Sequence, residues 1–281
     1  MHAPAVFTGD GYEKRIGARK PGKSVREIRH CYNEETPVND VALSVGAAQD
    51  LPLFRDLSPE VREALLDNAV LHSVAPGTIL FEQGELPKFQ HIVLAGSVHL
   101  FGRSSEGREV LIETVAAPDL VIPAAVVTGL PYLMQARVPE SSRLLMIHAG
   151  VFRATVAGNA ALAQAVIGGL AGQFRRMVRQ IKNLKLRSAT ERVGCYLLSL
   201  SRRQGTPDRV LLPYGKSLIA SELGMTRESF SRALSALRDA GIEVHDETIA
   251  IQDPARLAAQ CRPDPLIDEP QSENPVRNAH E

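Results

Sequence analysis

Residues 217–242 read SLIASELGMTRESFSRALSALRDAGI, the arithmetic of two short helices joined by a tight turn. Residues 216–223 predict the first helix, Gly224-Met225 the turn, and residues 226–240 the second helix with Thr226 as its N-cap. Ala220 is small where the helices cross, and Gly224 lets the chain reverse. Ile219, Leu223, Phe230, Leu234 and Leu237 supply the inward faces. Arg227, Glu228, Ser231 and Arg232 fall at i, i+1, i+4 and i+5, near the start of the second helix and on one outward side. A helix in the major groove reads base edges with such a set. Arginine holds guanine O6 and N7, glutamate accepts from cytosine N4, and serine contacts a base or a thymine methyl. Lys216, Ser217 and Thr226 are expected at phosphate, and Ser229 toward phosphate or solvent. The competing reading is an ordinary helical hairpin with exposed ions.

The flanks support the first reading. Beyond Gly241, the apolar Ile242, Val244, Ile249 and Ile251 surround the polar His245-Asp246-Glu247, which predicts a two-stranded wing. Asp253-Pro254 opens a last helix. Upstream, residues 190–202 predict another helix, broken at Gly205-Thr206-Pro207-Asp208. Further upstream, Ile167, Leu170, Phe174, Met177, Ile181 and Leu184 are spaced 3, 4, 3, 4 and 3 along residues 159–187. That is a heptad seam, with Arg175, Arg176, Arg179, Lys182 and Lys185 on its flank. Such a stripe packs on the chain's own neighbouring domain or on a second copy; its length and its place between two domains favour self-dimerisation.

Charge is polarised along the chain. The protein holds 32 basic and 32 acidic residues, yet Arg175 to Arg232 contains thirteen Lys or Arg against four acids. A basic segment on a neutral chain is what is expected when one domain alone meets phosphate, although a solvated helix face gives the same count. Lys185, Arg187 and Arg192 are expected near the duplex, and Arg175, Arg176 and Arg179 too far up the helix to reach it.

Residues 71–147 have a different texture. Short β-rich runs at 78–82, 91–94, 97–101 and 109–115 are separated by Gly-bearing turns, with Ser104-Ser105-Glu106-Gly107 as a hairpin loop. Many short strands of this kind predict a β-roll. Ahead of it, Ser58-Pro59-Glu60 starts a short helix expected to run to about residue 70. Residues 1–47 and the chain beyond Cys261 are rich in Pro, Gly or charge and are expected to be flexible. Composition, 44% hydrophobic and 23% charged, is that of a globular protein with a real core. No apolar run approaches a membrane span and the N-terminus lacks a secretory pattern, so a cytoplasmic protein with no membrane partner is expected. Cys31, Cys195 and Cys261 lie too far apart for a disulfide framework or zinc cluster.

This order of parts resembles the Crp–Fnr superfamily of bacterial transcription regulators, over about residues 51–261. Arg227-Glu228-Ser229-Phe230-Ser231-Arg232 looks like its recognition helix: Arg227 and Glu228 match the Arg-Glu pair of cyclic-AMP receptor types. Glu228, Ser231 and Arg232 match the E-x-x-S-R set of Fnr-like regulators. The resemblance implies an α+β fold: residues 1–47 a tail, 48–157 a cyclic-nucleotide-binding-like β-roll sensor, and 158–188 a dimerisation helix. Residues 189–261 would be a winged helix-turn-helix and 262–281 a second tail. It implies a homodimer on double-stranded DNA at an inverted repeat with TTGA-type or TGTGA-type half-sites. Two recognition helices would sit about 34 Å apart, with RNA polymerase as a partner.

The family's cyclic-AMP cradle is missing. Pro123-Ala124 stands where a Gly-Glu pair would bind ribose, and Tyr132-Leu133 where Arg-Ser would bind phosphate. With Val121, Tyr132 and Leu133 would line an apolar effector pocket instead. Four thiolates are needed for a [4Fe–4S] cluster, and only Cys31 lies upstream of the long helix, so an iron–sulfur centre is not expected. Residues 229–253 resemble nitric-oxide-responsive denitrification regulators, which makes His72, His91, His99 and His148 candidate haem ligands; the plainer reading of each is a packed, hydrogen-bonded histidine. Cys31 could be a redox switch or an incidental thiol. A regulator controlled only by its abundance is the alternative. An enzyme is the remote one, since no nucleophile–base pair, phosphate loop or H-E-x-x-H is present.

Overall fold

A computed structural model describes residues 51, 53–67 and 69–268. The Cys31 reading and the predicted tail 1–47 lie outside the described residues. Helix α1 (Pro59–Leu66) precedes β1 (Ala69–Val74), so the predicted first helix ends earlier than residue 70 and the strand takes over. Ser58 occupies the N-cap position without a side-chain capping bond. Seven more strands complete the roll: β2 (Ile79–Phe81), β3 (Phe89–Ala95), β4 (Ser97–Arg103), β5 (Glu109–Ala116), β6 (Asp119–Val121), β7 (Gln135–Arg137) and β8 (Ser142–His148). Helix α2 (Pro123–Thr128) lies between β6 and β7.

Two antiparallel four-stranded sheets, ordered β1-β8-β3-β6 and β2-β7-β4-β5, face each other. Between them lie Phe81, Val93, Val98, Leu100, Val121 and Leu144. The other side of the first sheet carries Ile92, Leu145 and Ile147, packed under Phe54, Leu65, Phe152 and Leu162. Strand β8 is therefore buried on both faces, and LLMI reads as a continuous apolar run instead of an alternation.

Helix α3 (Ala149–Gly158) was not anticipated; His148 caps it, its Nδ1 accepting from the Gly150 amide at 3.2 Å. The chain then bends by 110° into α4 (Ala160–Leu186), whose N-cap Asn159 accepts from the Leu162 amide. No single helix among the described residues is long and apolar enough to cross a membrane.

Helix α5 (Ala189–Gln204) opens with a full capping box between Ser188 and Glu191. It supports α6 (Lys216–Glu222), α7 (Arg227–Ala236), and the hairpin β10 (Ile242–His245) and β11 (Thr248–Ile251). A strand not predicted, β9 (Arg209–Leu211), makes the wing three-stranded in the order β10-β11-β9. The predicted helix 226–240 ends as α-helix at Ala236 and finishes as a 3-10 turn. Helix α8 (Pro254–Cys261) closes this core of Val193, Leu197, Ile219, Phe230, Leu237, Ile249 and Leu257. The expected flexible tail is corrected in part: residues 262–268 are packed against the protein and end in a short helix, α9 (Pro265–Asp268).

Candidate nucleic-acid interface

The turn between α6 and α7 depends on Gly224, at φ +63°, where a Cβ would collide with the Leu184 side chain. Thr226 caps α7 by accepting from the Ser229 amide at 3.2 Å. Phe230, Ala233, Leu234 and Leu237 are buried beneath the helix, while Arg227, Glu228, Ser231 and Arg232 are all exposed, as their spacing predicts. The Glu228 carboxyl is held below the usual range by its own backbone amide and the Thr226 side chain at the helix start. It stays ionised and ready to accept. Arg232 donates to Ser229 Oγ at 3.0 Å, and Thr226 Oγ1 lies 3.2 Å from the same atom. Ser229 is half-buried and holds Arg232. Lys216 is half-buried and Ser217 exposed at the start of α6.

Helix α6 lies against the roll. Strand β5 is a sheet edge, and its Leu111 amide donates to Ser221 Oγ at 2.9 Å. Tyr214 meets His99 edge-on, ring centres 5.2 Å apart. A serine and a tyrosine ahead of a predicted recognition helix carry no local signal of this contact.

Part of the basic segment is used internally. Arg176 pairs with Glu113 at 3.1 Å and Asp119 at 2.7 Å, and Lys182 with Asp264 at 3.4 Å. Of the two arginines expected near the duplex, Arg187 is corrected, and Arg192 is half-buried. Arg187 is buried against Asp268, and Arg192 donates to the Leu184 carbonyl at 3.2 Å.

Helix α4 meets its own roll through the apolar Leu162 and Val166 near its start and through polar side chains further along. Gln173 donates to the Leu120 carbonyl and Gln180 to the Ile112 carbonyl, both at 3.0 Å, with Arg176 between them. Ile167, Phe174, Met177 and Ile181 point outward and uncovered. Two seam positions differ: Leu170 is partly buried against the roll's core, and Leu184, though 38% exposed, touches Gly224.

The expected effector pocket is filled. Tyr132 stacks on Phe81 with ring centres 3.6 Å apart and donates to the Phe89 carbonyl; Val121 is buried beside them. Leu133 is 82% exposed and lines nothing. A cyclic nucleotide does not fit these residues, because an aromatic ring occupies the interior where a phosphate-binding arginine would stand. A cleft of about 330 Å³ lies instead on the outer face of the second sheet, lined by Glu82, Gln83, Phe101, Arg103, Glu109 and Gln135.

The four candidate haem ligands sit in different settings, and the plainer reading of a packed histidine describes most of them. His148 caps α3, and His99 lies under Tyr214. His72 is half-buried on β1. His91, 4% exposed, sits beside Phe81 with Nδ1 lacking a hydrogen-bond partner, and desolvation pushes its pKa down to about 4. Cys195 and Cys261 are buried thiols pushed up to about 12 and about 11, hence inert. Among the described residues no group of three or more His, Cys, Asp or Glu is placed to hold a metal ion.

Comparison with known proteins agrees with this arrangement. The family model for a Crp-like helix-turn-helix domain matches residues 191–260, and that for a cyclic nucleotide-binding domain matches residues 71–159. A CRP-like cAMP-activated global transcriptional regulator of Mycobacterium tuberculosis is 24% identical over 215 residues, which is 75% of this chain and 96% of that protein. A crp/fnr-family protein of Eubacterium rectale shares the fold at 23% identity and a TM-score of 0.63, covering 75% of this chain and 98% of the other. A solved regulatory protein of Silicibacter pomeroyi DSS-3 is 30% identical with a TM-score of 0.50, over 78% of this chain and 98% of the other. With both domains in the family's order and a relative matched over nearly its whole length, the chain belongs to the Crp–Fnr superfamily of DNA-binding transcriptional regulators.

Proposed function

We propose that this regulator binds an inverted-repeat site as a homodimer, each protomer reading one half-site through Arg227, Glu228, Ser231 and Arg232. The observation that carries the reading is the division of α7, apolar side chains beneath and these four outward, at the end of a helix whose own apolar seam is open. Lys216, Ser217 and Thr226 would take phosphates, and Ser229 would orient Arg232. Dimerisation through Ile167, Phe174, Met177 and Ile181 is supported by their exposure, since α4 meets its own roll through other side chains. Family membership is the ground for placing RNA polymerase downstream, for a cytoplasmic location and for a regulator in place of an enzyme.

Activity is modulated, on this reading, by an effector other than cyclic AMP. The Tyr132–Phe81 stack favours a second reading, a regulator that needs no small molecule at all. Operator binding with and without added cyclic AMP tests both. Equal affinities are expected, and a tenfold gain with the nucleotide would overturn the reading of the roll.

A further inference from the structure

Between α4 and α5 only Arg187 and Ser188 are non-helical, with Arg187 extended at φ −122° and ψ 141°. The joint is crossed by the end of the described chain. Arg262, at φ +48°, turns the backbone back after α8, and α9 packs against both α4 and α5. One end of this strap is fixed by Cys261, whose Sγ lies so close to Gly194 that a Cβ there would collide with it. At the other end Arg187 grips Asp268 with both arms of its fork, Nη1 to Oδ1 at 2.8 Å and Nη2 to Oδ2 at 2.5 Å. The two side chains are only 7% and 8% exposed. Arg187 Nη1 also reaches Asn183 Oδ1 at 3.1 Å, and Asp268 Oδ2 accepts from the Asp264 amide at 2.8 Å. Lys182 on α4 pairs with Asp264. A bidentate, buried pair with further hydrogen bonds is costly to break from one side, because a charge is left without its partner.

We propose that residues 262–268 are a latch across the α4–α5 joint, and that Arg187 and Asp268 are positioning residues. They fix the angle at which each reading head leaves the dimer helix, and hence the half-site spacing that the dimer accepts. The lever is long enough. Helix α5 has 16 residues, about 24 Å, so a change of about 10° at the joint moves its far end by about 4 Å. That exceeds the roughly 3.4 Å rise of one base pair. The inference rests on the inverted-repeat reading above, and its test separates the two.

The full chain and its Asp268→Asn variant are titrated against inverted repeats whose spacer is shortened or lengthened by one or two base pairs. The wild type is expected to discriminate at least tenfold against a one-base-pair change. In the variant that preference should shrink to about threefold or less, with dimerisation and nonspecific DNA binding retained. A variant with full spacer discrimination overturns the latch. A purely structural role would lower the melting temperature and leave the preference of the folded protein untouched. If Asp268→Asn does not fold, Arg187→Lys, which keeps the charge and loses the fork, carries the same test. If the wild type itself shows no spacer preference, the inverted-repeat reading fails, and the latch is decided without DNA. Spin labels at Gln164→Cys and Ser235→Cys in one protomer, diluted with unlabelled chain on a Cys31→Ser background, report the angle directly. A narrow distance distribution that broadens in Asp268→Asn supports the latch, and identical widths overturn it.

Discussion

Phe174 is the seam side chain whose loss should separate dimerisation from folding most cleanly. It is 65% exposed on the outward face of α4. A phenylalanine presents roughly 150–250 Å², so about 100–160 Å² is open to a partner. At about 25 cal/mol per Å², covering it contributes about 2.5–4 kcal/mol per copy, or about 5–8 kcal/mol for the two copies in a symmetric dimer. Phe174→Ala removes most of that area, and even the lower end corresponds to more than a thousandfold in the dimer dissociation constant. Monomer stability should change by no more than about 0.5 kcal/mol, as for surface sites with no structural partner. Sedimentation over a concentration series reads the first quantity and urea unfolding of the monomer the second. A variant that sediments like the wild type at micromolar concentration would refute the argument, as would one whose isolated protomer loses several kcal/mol. Leu170 could not make this distinction, since it also packs against its own roll.

Lys216→Ala should weaken binding to all sequences alike and lower the slope of log affinity against log salt by about one; an unchanged slope removes Lys216 from the phosphate contacts. His91, held neutral by burial with its pKa lowered to about 4, binds a proton more readily once unfolded, where the value is about 6.5. Its contribution is intact above pH 6.5 and is lost as pH falls toward 4, a decrease of about 2 kcal/mol by pH 5. Urea midpoints at pH 7.5 and pH 5 should show that drop, and His91→Phe should remove most of it; an equal drop in the variant excludes His91 as its source. Titration with haem should give no saturable Soret band. A stoichiometric band would return His72, His91, His99 and His148 as candidate ligands.

The recognition motif was legible because its determinants are local. Thr226 caps its own helix, Gly224 makes its own turn, and the buried and exposed residues of α7 alternate within one period. The outward face of α4 at Ile167, Phe174, Met177 and Ile181 was legible for the same reason, whereas the intramolecular contacts of Leu170 and Leu184 were not. What escaped was settled by partners distant in sequence. Arg187 looks like another basic residue of a basic stretch, and the carboxylate that claims it lies 81 residues away. The same pair orders residues 262–268, whose Pro- and Asp-rich composition reads as disorder. Helix α3 starts on a histidine in place of the usual Ser, Thr, Asp or Asn, and its sequence AGVFRATVAG has little amphipathic contrast. Around Val121 and Tyr132 the apolar character was legible, and the filling of the space was not. Tyr132 fills the interior by stacking on Phe81, because an aromatic ring of that size takes the volume that a ligand would need.

Whether α7 reads DNA in a symmetric dimer is decided by selecting bound sequences from a random duplex library with the wild type and with Arg232→Ala. The wild type is expected to enrich an inverted repeat with half-site centres about one helical turn apart. Arg232→Ala should lose about 1–3 kcal/mol at that site, with preference relaxed at one base pair in each half. A wild-type pool without a symmetric motif would contradict the account, and so would a variant weakened equally on every sequence.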